Sequence, residues 1–182
     1  MVSEGAIQTS VARSRAGGPS LHALDPAAVR AALAEVLDPE LPVVSVVDLG
    51  MVERVDVDSS GIRVELLPTF VGCPALDLIR VAVEDRLRVF GRPVEVGFAF
   101  RVPWSSDRIT PDGRRKLRDA GFAPPGSARA DAPALLQLGQ PVPCPHCGSR
   151  RTVLENLFGP TQCRAIYHCT ACRQPFEHFK SI

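Results

Sequence analysis

The cysteines are the residues of this chain whose spacing points to chemistry. Two C-x-x-C pairs, Cys144 and Cys147 in "CPHCG" and Cys169 and Cys172 in "CTAC", stand near the C-terminus. A tight turn aims both sulfurs of a pair at one ion, and four thiolates satisfy tetrahedral Zn²⁺, so the pattern reads as a zinc ribbon. The alternatives for the same four sulfurs are a rubredoxin-like iron site or an iron–sulfur cluster. Four protein sulfurs leave no position open for water, which marks a structural or docking module rather than a catalytic zinc centre. His146 and His168 lie beside the two knuckles, where they can hydrogen-bond around the metal without binding it. Cys163, on an expected strand between the pairs, reads as a half-buried small residue in preference to a ligand.

One cysteine stands apart. In "LPTFVGCPALDLI", Cys73 sits between Gly72 and Pro74 at an expected strand-to-helix seam. Placed at the N-cap, with Pro74 in the first helical position, it would face unpaired N–H groups and the positive end of the helix dipole. That setting predicts a thiol with a lowered pKa, better suited to nucleophilic attack or soft-metal binding than an ordinary cysteine. No histidine lies near it in the chain, so a Cys–His nucleophile pair is unsupported. Asp48, at a second glycine-containing break ("DLG"), is an acidic residue that the fold can bring close. A buried structural cysteine and a functional thiolate both remain open as readings of Cys73.

The elements that must position these residues can be read from periodicity. Asp25 and Pro26 open a helix whose Val29, Leu33, Val36 and Leu37 form one apolar stripe, stopped by "DPELP" at 38–42. Residues 51–68 alternate around an "SSG" turn and predict a β-hairpin. A second helix is expected over 74–90, with Gly91 and Pro93 ending it, followed by a strand in "PVEVGFAFRV". Thr110 caps a short basic helix from Pro111 to Ala120. The order α-β-β-α-β-α predicts an α+β fold, a small mixed sheet with helices packed on one face. The expected layout is a disordered tail at 1–23, this domain at 24–121, a Pro/Ala-rich linker at 122–143, whose "ALLQL" is suited to docking, and the zinc β-ribbon at 144–182. Three short strands hold little core, so the metal must supply much of the ribbon's folding free energy.

Composition excludes several classes. With 21 Lys+Arg against 20 Asp+Glu the 182-residue chain has a net charge of +1, and only 5% of its residues are aromatic. Neither a field nor a stacking platform for nucleic acid follows from that balance. No apolar run has the length of a signal peptide or a membrane span, which makes a cytoplasmic protein the expectation. In that compartment six cysteines favour metal or thiol chemistry over disulfides.

These residues resemble a known family. "LDPELPVVSVVDLGMVERVDV" followed by "VELLPTFVGCPALDLI" is similar to the iron–sulfur cluster assembly domain of bacterial maturation proteins and of the eukaryotic cytosolic machinery. Adding "RVPWSSDRITPDGRRKLRDAGFAPP" and the cysteine-rich tail narrows the resemblance. It then points to the accessory subunits encoded with the multicomponent phenylacetyl-CoA epoxidase of aerobic phenylacetate catabolism. The resemblance covers about residues 24–182. It implies that Cys73 is the family's reactive cysteine and that Asp48 and Thr69 accompany it as iron- or cluster-handling residues. Cys144, Cys147, Cys169 and Cys172 match the two knuckles.

The resemblance further implies a non-enzymatic role in assembling an iron–sulfur or di-iron centre, with a transient iron ion or cluster at Cys73 and structural zinc in the ribbon. The implied partners are the oxygenase or reductase components of the epoxidase, or another iron–sulfur client, and a homodimer would supply a second thiolate. A docking or scaffold subunit without cluster chemistry is the alternative function.

Overall fold

A computed structural model describes residues 24–126 and 141–180. The tail expected at 1–23 and the "ALLQL" segment lie outside the described residues. Helix α1 (Pro26–Leu33) starts as its cap predicts: the Asp25 carboxylate accepts from the Ala27 N–H, and Pro26 occupies the first turn. It ends sooner than the stripe suggests, with Ala34 as C-cap. Val29, Leu33 and Val36 are buried, but Leu37 is 47% exposed, because after α1 the chain turns into an extended bridge between Leu37 and Ser45.

The hairpin follows as expected: β1 (Val52–Val57) pairs antiparallel with β2 (Ile62–Leu66). Helix α2 (Leu76–Leu87) then crosses to β3 (Val94–Phe98), which pairs parallel with β2. The three strands make the mixed sheet β1-β2-β3. Ile79, Val83 and Leu87 of α2 and Val29 and Leu33 of α1 share a core with Ile62, Val64, Leu66 and Val96 of the sheet. The α+β layer read from element order is therefore present. Helix α3 (Pro111–Asp119) is capped by Thr110, whose hydroxyl accepts from the Gly113 N–H at 2.9 Å.

The second sheet runs β4-β7-β6-β5. Its three C-terminal strands, β5 (Thr152–Asn156), β6 (Arg164–Cys169) and β7 (Pro175–Phe179), are the antiparallel ribbon. Its outer strand β4 is Phe122–Ala123, which the sequence suggests as the start of the linker. These two residues pair parallel with β7, and the Ala123 carbonyl lies 3.1 Å from the buried Nδ1 of His178. Burial holds the His178 pKa below the usual imidazole value.

The ribbon does not hang free on a linker. Phe179 and Cys163 are buried within the core of the first sheet and its helices. Phe179 packs edge-on against Trp104 with ring centroids 6.0 Å apart, and the Trp104 indole N–H donates to the Leu49 carbonyl at 2.8 Å. An aromatic edge contact of this kind adds to the apolar area that both rings remove from water.

Phe179→Ala would leave a cavity at this seam. It should lower stability by about 3–5 kcal/mol, read as one cooperative loss in chemical denaturation. Separate unfolding of the two halves at unchanged total stability would show the seam to be energetically silent.

Candidate functional site

Four sulfurs converge in the ribbon. Each knuckle is a tight backbone turn: Gly148 N–H donates to the Cys144 carbonyl at 2.8 Å, and Arg173 N–H to the Cys169 carbonyl at 2.8 Å. Gly148 and Arg173 both take positive φ, 73° and 61°, which swings the chain back so that both cysteines of a pair point inward. The turns bring Cys144, Cys147, Cys169 and Cys172 within 4.8 Å of one another. Cys144 and Cys172 stand 3.7 Å apart, Cys147 and Cys169 3.6 Å. A tetrahedron with Zn–S bonds of about 2.3 Å has edges of about 3.8 Å, so the quartet fits the ion. The thiols also titrate as a crowd. The Cys172 backbone N–H helps hold Cys169 down to about 6. Cys172, despite the Gln174 N–H, is pushed up to about 12 by burial and the neighbouring sulfurs. A divalent cation supplies the positive charge that such a cluster lacks.

The surroundings of Cys73 differ from the sequence expectation. Helix α2 begins at Leu76 with Ala75 as its N-cap, and no side chain caps it. Cys73 lies one turn earlier: its N–H donates to the Phe70 carbonyl at 3.1 Å, and its own carbonyl accepts from Leu76 at 3.4 Å. The thiol is therefore displaced from the helix end, and its pKa moves up rather than down. Burial is the main cause; the Ala75 N–H opposes it, and the charges of Glu40, Asp38 and Cys163 add to it. The nearest of these groups is Glu40, whose Oε2 stands 3.9 Å from Cys73 Sγ.

Glu40 is held there by the "DPELP" turn. Asp38 is buried, and its Oδ1 accepts from the N–H groups of Glu40 at 2.8 Å and Leu41 at 3.0 Å. This Asx turn fixes the backbone of Glu40 while Leu41 anchors the loop in the core. Burial raises the Asp38 pKa against those two donors and the Arg164 charge. The sequence identifies "DPELP" as a helix stop and misses it as the source of the acid beside Cys73. Its Asp-Pro-Glu order, two carboxylates around a turn-forming proline, is the signal for that second role.

Asp48 is engaged elsewhere. Its Oδ2 accepts from the Ser45 N–H and hydroxyl, each at 2.9 Å, and from Lys116 Nζ at 2.7 Å. Burial works to raise its pKa, but Lys116 and Ser45 outweigh it and hold the carboxyl below the usual carboxylate range. Asp48 thus ties α3 to the loop before β1. Gly113 of α3 lies so close that a Cβ there would meet the Asp48 carbonyl oxygen at 2.6 Å. At the neighbouring Gly50, φ is +65° and a Cβ would strike the Arg108 carbonyl. Thr69 is buried at the start of the Cys73 loop. The structure brings Cys73 together with Glu40 and Asp38, and through the ribbon with Cys163.

Fold and site together define a class: an iron–sulfur cluster assembly-type α+β domain closed by a four-cysteine zinc β-ribbon. Residues 26–97 match the family model described as "Iron-sulfur cluster assembly protein" and residues 128–180 the one described as "PaaD zinc beta ribbon domain". The chain belongs to the PaaD family. Over 153 residues, 84% of this chain and 90% of the relative, it is 39% identical to an Escherichia coli (strain K12) protein named as one of the subunits of 1,2-phenylacetyl-CoA epoxidase. Over 87 residues, 45% of this chain and 82% of the relative, it is 33% identical to the Fe-S protein maturation auxiliary factor YitW of Bacillus subtilis (strain 168). A Bacillus anthracis domain titled DUF59 superposes with a TM-score of 0.48 at 29% identity, covering 50% of this chain and 90% of that one.

Two outcomes follow. Metal-replete protein should carry about one zinc per chain, and stripping it with a strong chelator should melt the ribbon strands; a chain that keeps its circular dichroism without zinc would refute a folding role for the ion. The raised Cys73 pKa makes the neutral thiol the form at pH 7. The folded state gains from it below the ordinary thiol pKa and loses that gain as pH rises through the higher folded value. Iodoacetamide labelling of Cys73 should accordingly be slower than for a free cysteine at neutral pH and climb steeply above pH ~9. Rapid labelling at pH 7 would contradict the burial and charge argument.

Proposed function

We propose that this protein is an accessory subunit of a phenylacetyl-CoA epoxidase system that assists assembly of an iron–sulfur or di-iron centre in the oxygenase or reductase components. Cys73 holds iron or a cluster in passing. The observation that carries this reading is a single half-buried thiol with a carboxylate 3.9 Å away and no histidine or lysine among the groups acting on it. An acid–base nucleophile needs a partner that takes its proton. A thiol in an acidic pocket instead gives up its proton when a soft cation arrives, and a sparse ligand set releases that cation again.

The kinship to a maturation factor and to an epoxidase subunit supports this role, in a cytoplasmic and non-enzymatic setting. Asp48 and Thr69 act through the fold on this reading: Asp48 fixes the loop beside the site, and Thr69 packs at the foot of the Cys73 loop. The ribbon serves as the surface on which the client docks. The competing reading, a scaffold without cluster chemistry, keeps the ribbon and makes Cys73 a filler.

Co-expression of the epoxidase components with Cys73→Ser decides between them. The variant should fold with its zinc, while the client emerges with iron content and activity reduced by about tenfold or more, the scale on which lost metal-site groups act. Full iron loading of the client by a folded variant would sink the maturation role and leave the scaffold.

A further inference from the structure

The sequence leaves Cys163 as a spare thiol, and the zinc quartet does not use it. Its place in the fold gives it another use. Cys163 immediately precedes β6 and is 7% exposed, buried in the core against which Cys73 packs. The two thiols come from opposite halves of the chain, yet the charges of Glu40 and Asp38 act on both, and the charge of Cys163 acts on Cys73. Arg164, the next residue, acts in turn on Asp38 while its guanidinium is bound to Glu177 at 2.7 Å. Two sulfurs and two carboxylates therefore share one pocket at the seam.

We propose that Cys163, carried in by the ribbon, is a second sulfur ligand that joins Cys73 and Glu40 around a thiophilic divalent cation. The proposal rests on the metal-handling reading of Cys73 and extends it to a residue of the ribbon. Glu40 stands 3.9 Å from Cys73 Sγ, and Cys163 Sγ lies 3.1 Å from the Thr161 hydroxyl, a contact it gives up to turn toward a metal. Each thiol passes its proton to solvent as its sulfur–metal bond forms, so two thiolates and one carboxylate face a 2+ ion. Asp38 stays outside the ligand set, because its Oδ1 is held by two backbone N–H groups. Among the described residues only the ribbon quartet lies with its ligand atoms mutually within 4.8 Å. The seam set is looser, which suits a cargo that must leave. The ribbon's zinc then has a second consequence: it folds the strand that delivers Cys163.

The test is anaerobic titration of the full-length, zinc-loaded protein with Co²⁺. The wild type should bind one further cobalt with thiolate-to-cobalt charge-transfer absorption of two sulfurs. Cys73→Ser and Cys163→Ala should each cut that absorption to about half, and Glu40→Gln should keep it while weakening binding about tenfold or more. Wild-type absorption in a folded Cys163→Ala, or no cobalt beyond the ribbon in the wild type, overturns the proposal. Zinc stoichiometry and the thermal midpoint report whether Cys163→Ala is folded. Should it unfold, cadmium NMR of the wild-type chain decides: two sulfurs on the non-ribbon ion support the site, one overturns it. The client's iron content with Cys73→Ser is read independently. A chain in which Cys73 matters and Cys163 does not thus loses this inference and keeps the maturation role.

Discussion

The seam where the β6–β7 hairpin enters the core of the first sheet holds the molecule together. Trp104 stands at its centre, tied to the Leu49 carbonyl by its indole N–H and touched edge-on by Phe179. Around it Phe179 and Cys163 join a cluster of residues from α1, α2 and the first sheet. The ribbon's own core is small: Ala123, Ala165, Tyr167 and Phe176 with two of the zinc cysteines. So little apolar area cannot offset the entropy of ordering its strands. Metal at one end and the seam at the other supply what the ribbon core lacks. Docking also completes a pocket that neither half contains alone.

Electrostatics around Cys73 argue for a particular chemistry. A thiolate made ready by a helix end or a neighbouring base attacks carbon or sulfur; a thiol kept neutral by burial and nearby carboxylates does not. The same features favour a cation with affinity for sulfur. Its charge answers Glu40 and Asp38 together, and its bond to sulfur compensates for the lost proton. Burial and acidity, which make Cys73 a poor nucleophile, are what a transient metal site requires.

The "DLG" and "DPELP" motifs divide the labour. Asp48 commits its carboxylate to Ser45 and Lys116, and its backbone carbonyl accepts from the Thr110 N–H at 2.9 Å. Next to it Arg108 Nε donates to the Gly50 carbonyl at 2.9 Å and its NH2 group bonds Glu53 at 2.6 Å. This network fastens the segment carrying Trp104 and α3 onto the sheet, and so builds the seam. Asp38, two residues from Glu40, performs the same service for the acid that faces Cys73.

Local physics accounts for the part of the fold that is legible in the chain alone. The caps at Asp25 and Thr110, the hairpin of β1 and β2, the stop at Gly91 and the four-sulfur knuckles all depend on residues a few positions apart. Turn geometry and short-range hydrogen bonds act there before any tertiary contact forms. The end of α1, the start of α2, the direction of the Cys73 pKa and the placement of Glu40, Asp38 and Cys163 exist only in the packed molecule. Desolvation is a property of the interior, and no spacing in the chain encodes it. Phe122 and Ala123 show the same limit: two residues form a strand only because β7 offers them an edge. Cys163 reads as a spare thiol in the sequence because its neighbour Cys73 stands in the other half of the chain. The folded seam makes them neighbours.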